Sequence, residues 1–247
     1  MTLLLAHVSD LHLDGTTRAT ERATRTVDYL RHLPRTPDAL LVTGDIADHA
    51  TTDQYRQAAR LLDLPFPVLV CPGSHDDRAA MRQAMLNLPP TKEPFNHLHQ
   101  VASAAVLTCD STIPGEDGGH LDTSTLVWIN QTLTDLPPTT PALLALHHPP
   151  VRIHHPLPDS MRLDNADDLA GLLQAHPHLV GILVGHAHTG GATTFAGRPL
   201  LLAPGVRWTL RMPWEGEPTP HHDQPPGVAF HVLGPDHRLT THFRAVM

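Results

Sequence analysis

The stretch Leu40-Leu41-Val42-Thr43-Gly44-Asp45-Ile46-Ala47-Asp48 carries an apolar run into a turn that only a small residue permits, and it releases a carboxylate there. A carboxylate held rigidly at a strand end has two oxygens. Asp45 can therefore bridge two divalent cations, the arrangement two-metal hydrolases use to clamp an in-line displacement. In isolation, Gly-Asp after a strand is more often an ordinary turn whose Asp caps its own backbone. Repetition along the chain decides between the two readings.

Residues 2–8 form another apolar run, and they empty into Ser9-Asp10-Leu11-His12, which puts Asp10 and His12 on one side of an extended segment. Residues 68–71 lead to Gly73-Ser74-His75-Asp76, residues 142–146 to His147-His148-Pro149-Pro150, and residues 179–184 to Gly185-His186-Ala187-His188. Five apolar runs thus end in metal-capable side chains. In open α/β sheets the ligand site lies outside the carboxyl ends of the strands, so these five ends are expected to converge in space. Any one of these histidines alone reads as a solvated or core imidazole; the set does not.

Helical signals fall between the runs. Residues 19–32 carry Ala23, Val27, Leu30 and Leu33 against an Arg and Glu face, and residues 53–62 and 77–88 repeat the pattern, giving β-α-β units. Beyond Gln100 the spacing predicts a strand run over 101–108, helices over 124–136 and 166–175, and short strands over 192–195, 200–203, 228–233 and 239–243. Two sheets packed face to face with helices outside follow from this order. The Pro-rich segment 211–227, with Trp214, His221 and His222, is too long for a simple turn and reads as a loop at the pocket mouth, a homodimer contact, or disordered surface.

The chain of 247 residues fits a single α/β domain spanning 1–247. Its formal charge of −8 and the lack of clustered Lys and Arg argue against a basic nucleic-acid-binding face, so a small anionic substrate must be attracted locally. Cys71 and Cys109 read as buried thiols with no Cys-x-x-Cys partner, which points to a reducing, cytoplasmic setting. Leu3-Leu4-Leu5-Ala6 is too short to span a membrane and reads as a strand and not a leader. His154-His155 and His221-His222 stand outside any strand end and are read as surface or loop residues.

The order and wording of Asp10-x-His12, Gly44-Asp45-x-x-Asp48, Gly73-Ser74-His75-Asp76, His147 and Gly185-His186-x-His188 closely resemble the calcineurin-like metallophosphoesterases over nearly the whole chain. Gly44-Asp-Ile-Ala-Asp48, Leu146-His-His-Pro-Pro150 and Asp110-Ser-Thr-Ile-Pro-Gly115 are most similar to the bacterial class III cyclic nucleotide phosphodiesterases. The resemblance implies a four-layer α/β/β/α sandwich of two mixed sheets. It also implies a metal-dependent phosphoester hydrolase in which a metal-bridging hydroxide attacks cyclic nucleotides or other small phosphodiesters. A phosphomonoesterase on the same site, or a non-catalytic binding protein on a degenerate fold, are the other readings.

By the same resemblance, metal one is held by Asp10, His12, Asp45 and His188, and metal two by Asp45, His147 and His186, with Ser74 where the family has a metal-binding asparagine. His147 is preferred to His148 because the family ligand stands two residues before proline. His75 matches the histidine that faces the scissile phosphate without binding metal, binding substrate and stabilising or protonating the leaving oxygen. Asp48 and Asp76 are expected to hold histidine tautomers or to cap helices. An all-nitrogen-and-oxygen donor set suits manganese, iron or zinc.

Overall fold

Side chains alternate along each strand, and here both faces of the central strands are apolar. In β2 (Ala39–Thr43), Ala39 and Leu41 enter one buried cluster while Leu40 and Val42 enter another. In β6 (Ala142–Leu146), Leu143 and Ala145 join Ala39 and Leu41, whereas Leu144 and Leu146 turn outward. Two sheets therefore pack against each other through one shared apolar layer. This computed structural model describes residues 2–247.

The first sheet has the order β13 (Leu239–Ala245), β12 (Gly227–Leu233), β1 (Leu3–Val8), β2, β3 (Val68–Cys71). The second runs β4 (His97–Val101), β5 (Ala104–Thr108), β6, β7 (Leu179–Val184), β9 (Arg198–Leu202), β8 (Gly191–Phe195). Strands β1, β2 and β3 are parallel, as are β5, β6, β7 and β9; the remaining pairings are antiparallel, so both sheets are mixed. Helices α1 (Thr17–Arg31), α2 (Thr52–Leu61) and α3 (Arg78–Ala84) lay Ala23, Val27, Leu30, Tyr55, Ala58 and Met81 over Leu40 and Val42. On the opposite side α4 (Thr123–Asp135) and α6 (Ala166–Leu173) cover β6 with Ile129, Leu133, Leu169 and Leu173. The result is the expected α/β/β/α sandwich. No helix among the described residues is long and apolar enough to cross a membrane.

Three expectations change. Residues 101–108 are not one run: Val101 ends β4, Ala102 turns with φ of 52°, and β5 returns antiparallel. The missed strand, His97-Leu98-His99-Gln100, is an edge strand with alternating exposure and no apolar continuity to announce it. The helix over 77–88 stops at Ala84, with Asp77 as its N-cap and Asn87 left-handed at φ 53°. The segment 211–227 carries regular structure: β10 (Thr209–Leu210) pairs with β11 (Pro220–His221), and a 3-10 turn spans Pro213–Glu215; the short helix α5 (Pro156–Ser160) is likewise unannounced by the sequence. Arg22 of α1 fixes this segment by donating to the carbonyls of Val206 (2.8 Å), His222 (3.2 Å) and Gln224 (2.6 Å).

Inside the first sheet a chain of polar groups, its two histidines buried, crosses four strands. His7 meets Thr43 Oγ1 at 2.8 Å and His231 Nε2 at 3.0 Å, and His231 Nδ1 meets Thr241 Oγ1 at 2.8 Å. Burial pushes His231 down to about 3 and, with the neighbouring His231, holds His7 well below its ordinary value. Such groups bind protons chiefly in the unfolded chain. Their stabilisation is complete above about pH 6.5 and is withdrawn as pH falls towards the folded value. His231→Gln should flatten the acid-side dependence of unfolding free energy by about 1.4 kcal/mol per pH unit between roughly pH 6 and 4, measured by urea titration of metal-free protein. An unchanged slope means that His231 is not held neutral.

Candidate metal centre

The parallel strands of both sheets release their last residues at one edge, and the chain must turn sharply there. Asp10 (φ 58°), His12 (39°), Asp45 (49°), His186 (64°) and His188 (50°) all adopt left-handed backbone. This conformation is uncommon outside glycine and is best tolerated by Asn, Asp and His. Asp10 and His12 therefore leave β1 through two left-handed turns and not along an extended segment, as their spacing had suggested. Gly44 (φ 84°) is required twice over: a Cβ there would stand 2.6 Å from both the Gly73 nitrogen and His147 Nδ1.

Asp10, His12, Asp45 and His188 bring one ligand atom each to within 4.8 Å of one another. His12 Nε2 is 3.3 Å from His188 Nε2 and 3.4 Å from Asp45 Oδ2, and His188 Nε2 is 3.5 Å from Asp10 Oδ1. On the other side of Asp45, His147 Nε2 is 3.5 Å from Oδ2 and 3.2 Å from His186 Nδ1. Donors about 2.0–2.1 Å from a common tetrahedral centre stand about 3.4 Å apart, so the first set has the spacing of a coordination shell, and His147 stands at that spacing from both Asp45 and His186. One oxygen, Asp45 Oδ2, faces both sets. Its partner Oδ1 accepts the His75 backbone N–H at 3.0 Å, which replaces the expectation that the two oxygens divide the cations between them.

Three of the four imidazoles have their other nitrogen committed. His12 Nδ1 donates to Asp48 (2.7 Å), His147 Nδ1 to the Thr43 carbonyl (2.7 Å), and His188 Nδ1 to the Trp208 carbonyl (3.3 Å). Their Nε2 lone pairs consequently face the centre. Both oxygens of Asp10 and His186 Nε2 are buried with no hydrogen-bond partner, an arrangement that a cation beside Asp10 would relieve. Burial would lower His147, but the Asp45 carboxylate raises it to about 9, while burial and the histidines around it depress His186. Burial opposes ionisation of Asp45, yet His147 and His12 hold it well below the usual carboxylate range.

The remaining sequence expectations divide. His75 stands at the cavity wall with Nδ1 on the Asp48 carbonyl (2.9 Å) and its ring edge-on to His12 (4.6 Å). Asp48 orients His12, as expected; Asp76 does not hold a histidine. Its carboxylate accepts from the backbone of Ile46 (3.1 Å), Ala47 (3.1 Å) and Gly73 (3.0 Å) and from Tyr55 Oη (3.0 Å), tying the Asp45 turn to the His75 turn. His148 is saturated between Ser111 Oγ (2.8 Å) and the Asp117 carbonyl (3.2 Å), which leaves no lone pair for a cation despite its proximity to His147 and His186. Ser74 lines the cavity.

That cavity, about 340 Å³, is lined by His12, Asp45, His75, His186 and His188 together with the apolar Leu157, Pro158, Met161, Trp208, Leu210 and Pro220. A larger depression of about 950 Å³ lies along α1, open to solvent and remote from these residues. Pro220 belongs to the Pro-rich segment, so that segment does reach the pocket. Sequence reading missed Trp208, which stacks on His12 and His188. The strand over 200–203 was legible, but it empties into Ala203-Pro204-Gly205 with no metal-capable side chain to mark the segment as part of the site.

The fold and this constellation define a phosphoester hydrolase of the two-sheet, metal-dependent kind. Residues 3–190 match the calcineurin-like phosphoesterase family, and the chain belongs to it. It is similar to a probable cyclic nucleotide phosphodiesterase of Rhodococcus erythropolis, 31% identical over 83% of this chain and 71% of the relative. It is also similar to the glycerophosphodiester phosphodiesterase GpdQ of Enterobacter lignolyticus, 30% identical over 93% of this chain and 86% of that protein. A dimetal phosphatase from Danio rerio shares the fold, with a TM-score of 0.67, 13% identity and 99% of each chain covered.

Proposed function

We propose that this chain hydrolyses small phosphodiesters, cyclic nucleotides first among them, at a centre of two metal ions. The observation that carries the reading is Asp45 Oδ2, which stands between two sets of nitrogen donors. Asp10, His12, Asp45 and His188 would hold the first ion; Asp45, His147 and His186 the second. Nitrogen and oxygen donors without thiolate suit manganese, iron or zinc. When bound, the ions neutralise the phosphoryl oxygens and make water a nucleophile near neutral pH. His75 faces the cavity beside this centre and would steady the leaving oxygen or give it a proton.

A diester is favoured over a monoester because no Lys or Arg lines the cavity among the described residues, while Asp117 does. A monoester's second negative charge would meet that carboxylate with no cationic side chain to offset it. The apolar lining supports a nucleoside over a glycerol group, which offers no flat apolar face. With Mn²⁺ added, bis(p-nitrophenyl) phosphate should turn over faster than p-nitrophenyl phosphate, and 3′,5′-cyclic AMP faster than glycerophosphocholine. Reversal of the first comparison overturns the diester reading; reversal of the second, the nucleotide preference.

Ser74 weakens the second ion's site. Its hydroxyl reaches less far than an asparagine carbonyl and carries a proton that must point away from a cation, which leaves three protein ligands there. Loss of the fourth should lower affinity by about 10- to 100-fold. Ser74→Asn is expected to tighten the second Mn²⁺ equivalent by that factor without moving the first, read by calorimetric titration with elemental analysis. Two equally tight equivalents in the wild type would make Ser74 an adequate ligand.

A further inference from the structure

Three residues assigned to the first ion come from opposite ends of the chain, Asp10 and His12 after β1 and His188 after β7, and one segment touches all three. Gly205 bridges to Ser9 in parallel, Val206 N donates to the Ser9 carbonyl (3.0 Å), and Arg207 N donates to the Asp10 carbonyl (3.0 Å). A Cβ on Gly205 would collide with the Trp208 carbonyl and stand 3.0 Å from His188 Nδ1, so the backbone lies against the His188 ring. The Trp208 carbonyl then takes the His188 Nδ1 proton. Its indole stacks on both histidines, 4.5 Å from His12 at 27° and 4.7 Å from His188 at 11°. Those two imidazoles stack on each other at 5.1 Å.

From this geometry we infer that Trp208 is a positioning residue for the first metal ion: its indole holds the His12 and His188 rings with both Nε2 atoms turned to one point. Three contacts fix the rings. Asp48 and the Trp208 carbonyl set the tautomers, and the indole removes the remaining freedom, rotation about the Cβ–Cγ bonds. An imidazole free to turn about that bond moves its lone pair off the cation, and restraining two rings with one aromatic plane lowers the entropy lost on metal binding. The second ion's histidines, His147 and His186, have no contact with Trp208 among the described ring pairs. The effect is therefore confined to one ion. The segment continues into Thr209 and Leu210, which pair with His221 and Pro220 at the cavity wall, so the same backbone links the first ion's histidines to the substrate pocket.

The proposal rests on the two-ion reading above, and the test separates their failures. Mn²⁺ binding is followed by the electron paramagnetic resonance signal of the free ion, and unfolding of the metal-free proteins by calorimetry, for wild type, Trp208→Leu and Trp208→Phe. W208L should bind the first equivalent about 10- to 100-fold more weakly, the range for disturbing a ligand's support, with the second equivalent unchanged. W208F keeps an aromatic plane and should stay within about fivefold of wild type. The metal-free unfolding temperature should not follow the affinity. A second readout uses Trp208 as the sole tryptophan, with Trp128 and Trp214 replaced by phenylalanine: its emission should be quenched by the first equivalent and not by the second. A W208L protein that binds the first equivalent as tightly as wild type overturns the proposal, as does a W208F protein as impaired as W208L. A wild type that takes up no Mn²⁺ overturns the two-ion reading and the proposal with it.

Discussion

Asp45→Ala is expected to abolish binding of both metal ions and all phosphodiester hydrolysis, whereas Asp10→Ala should remove the first ion and spare part of the second. The difference lies in Oδ2, which faces His12 at 3.4 Å and His147 at 3.5 Å, while Asp10 belongs to the first set alone. Removal of Asp45 also strands the charges around it. The His147 proton, held to about 9 by that carboxylate against burial, loses its partner, so the buried ring becomes neutral. Oδ1 goes too, and with it the acceptor for the His75 backbone N–H. Asp45→Asn keeps the size and the Oδ1 contact and isolates the charge. Elemental analysis of both variants reads the stoichiometry directly; an alanine variant that retains two equivalents refutes the shared ligand.

His75→Ala should leave metal content intact and lower kcat by about 100- to 10,000-fold, the usual range for a positioned proton donor. Its Nδ1 is spent on the Asp48 carbonyl, so Nε2 is the atom left to face the cavity, and it belongs to neither donor set around Asp45. A residue that acts on the leaving oxygen is felt in the transition state, so kcat and kcat/KM should fall together. A leaving group that needs no proton, such as p-nitrophenolate, should suffer less than the ribose oxygen of a cyclic nucleotide. Equal losses on both substrates would move His75 from proton donor to electrostatic support, and no loss would remove it from the mechanism.

The legible part of this site was the part written as side chains at strand ends. Asp10, His12, Asp45, His147, His186 and His188 each follow an apolar run, and the carboxyl-edge rule for parallel strands brings them together without coordinates. The sandwich was legible for the same reason, since β2 and β6 are apolar on both faces and need cover on both. What escaped was carried by backbone. Trp208 contributes a carbonyl and a ring plane, Thr43 a carbonyl to His147, and Asp76 an acceptor for three N–H groups; none has a sequence signature. The edge strand β4 escaped because half of its side chains face water, and the left-handed turns escaped because Asp and His adopt them without the glycine that usually marks the place.

The first sheet's strand order bears on how the chain is made. β1 lies between β2 and β12, with Leu3 opposite Leu233, so β1 completes its pairing only after the long stretch of chain between it and β12 has been synthesised. Contacts this distant in sequence form slowly, since the intervening loop must be closed before they yield any stabilisation. The strand that leads into Asp10 and His12 thus stays exposed on one edge until β12 is made, an apolar strand open to pairing with other chains. No described residue beyond 226 lines the cavity, yet β12 covers the edge of the strand that leads into Asp10 and His12. Nascent protein lacking β12 should be the species most dependent on chaperones.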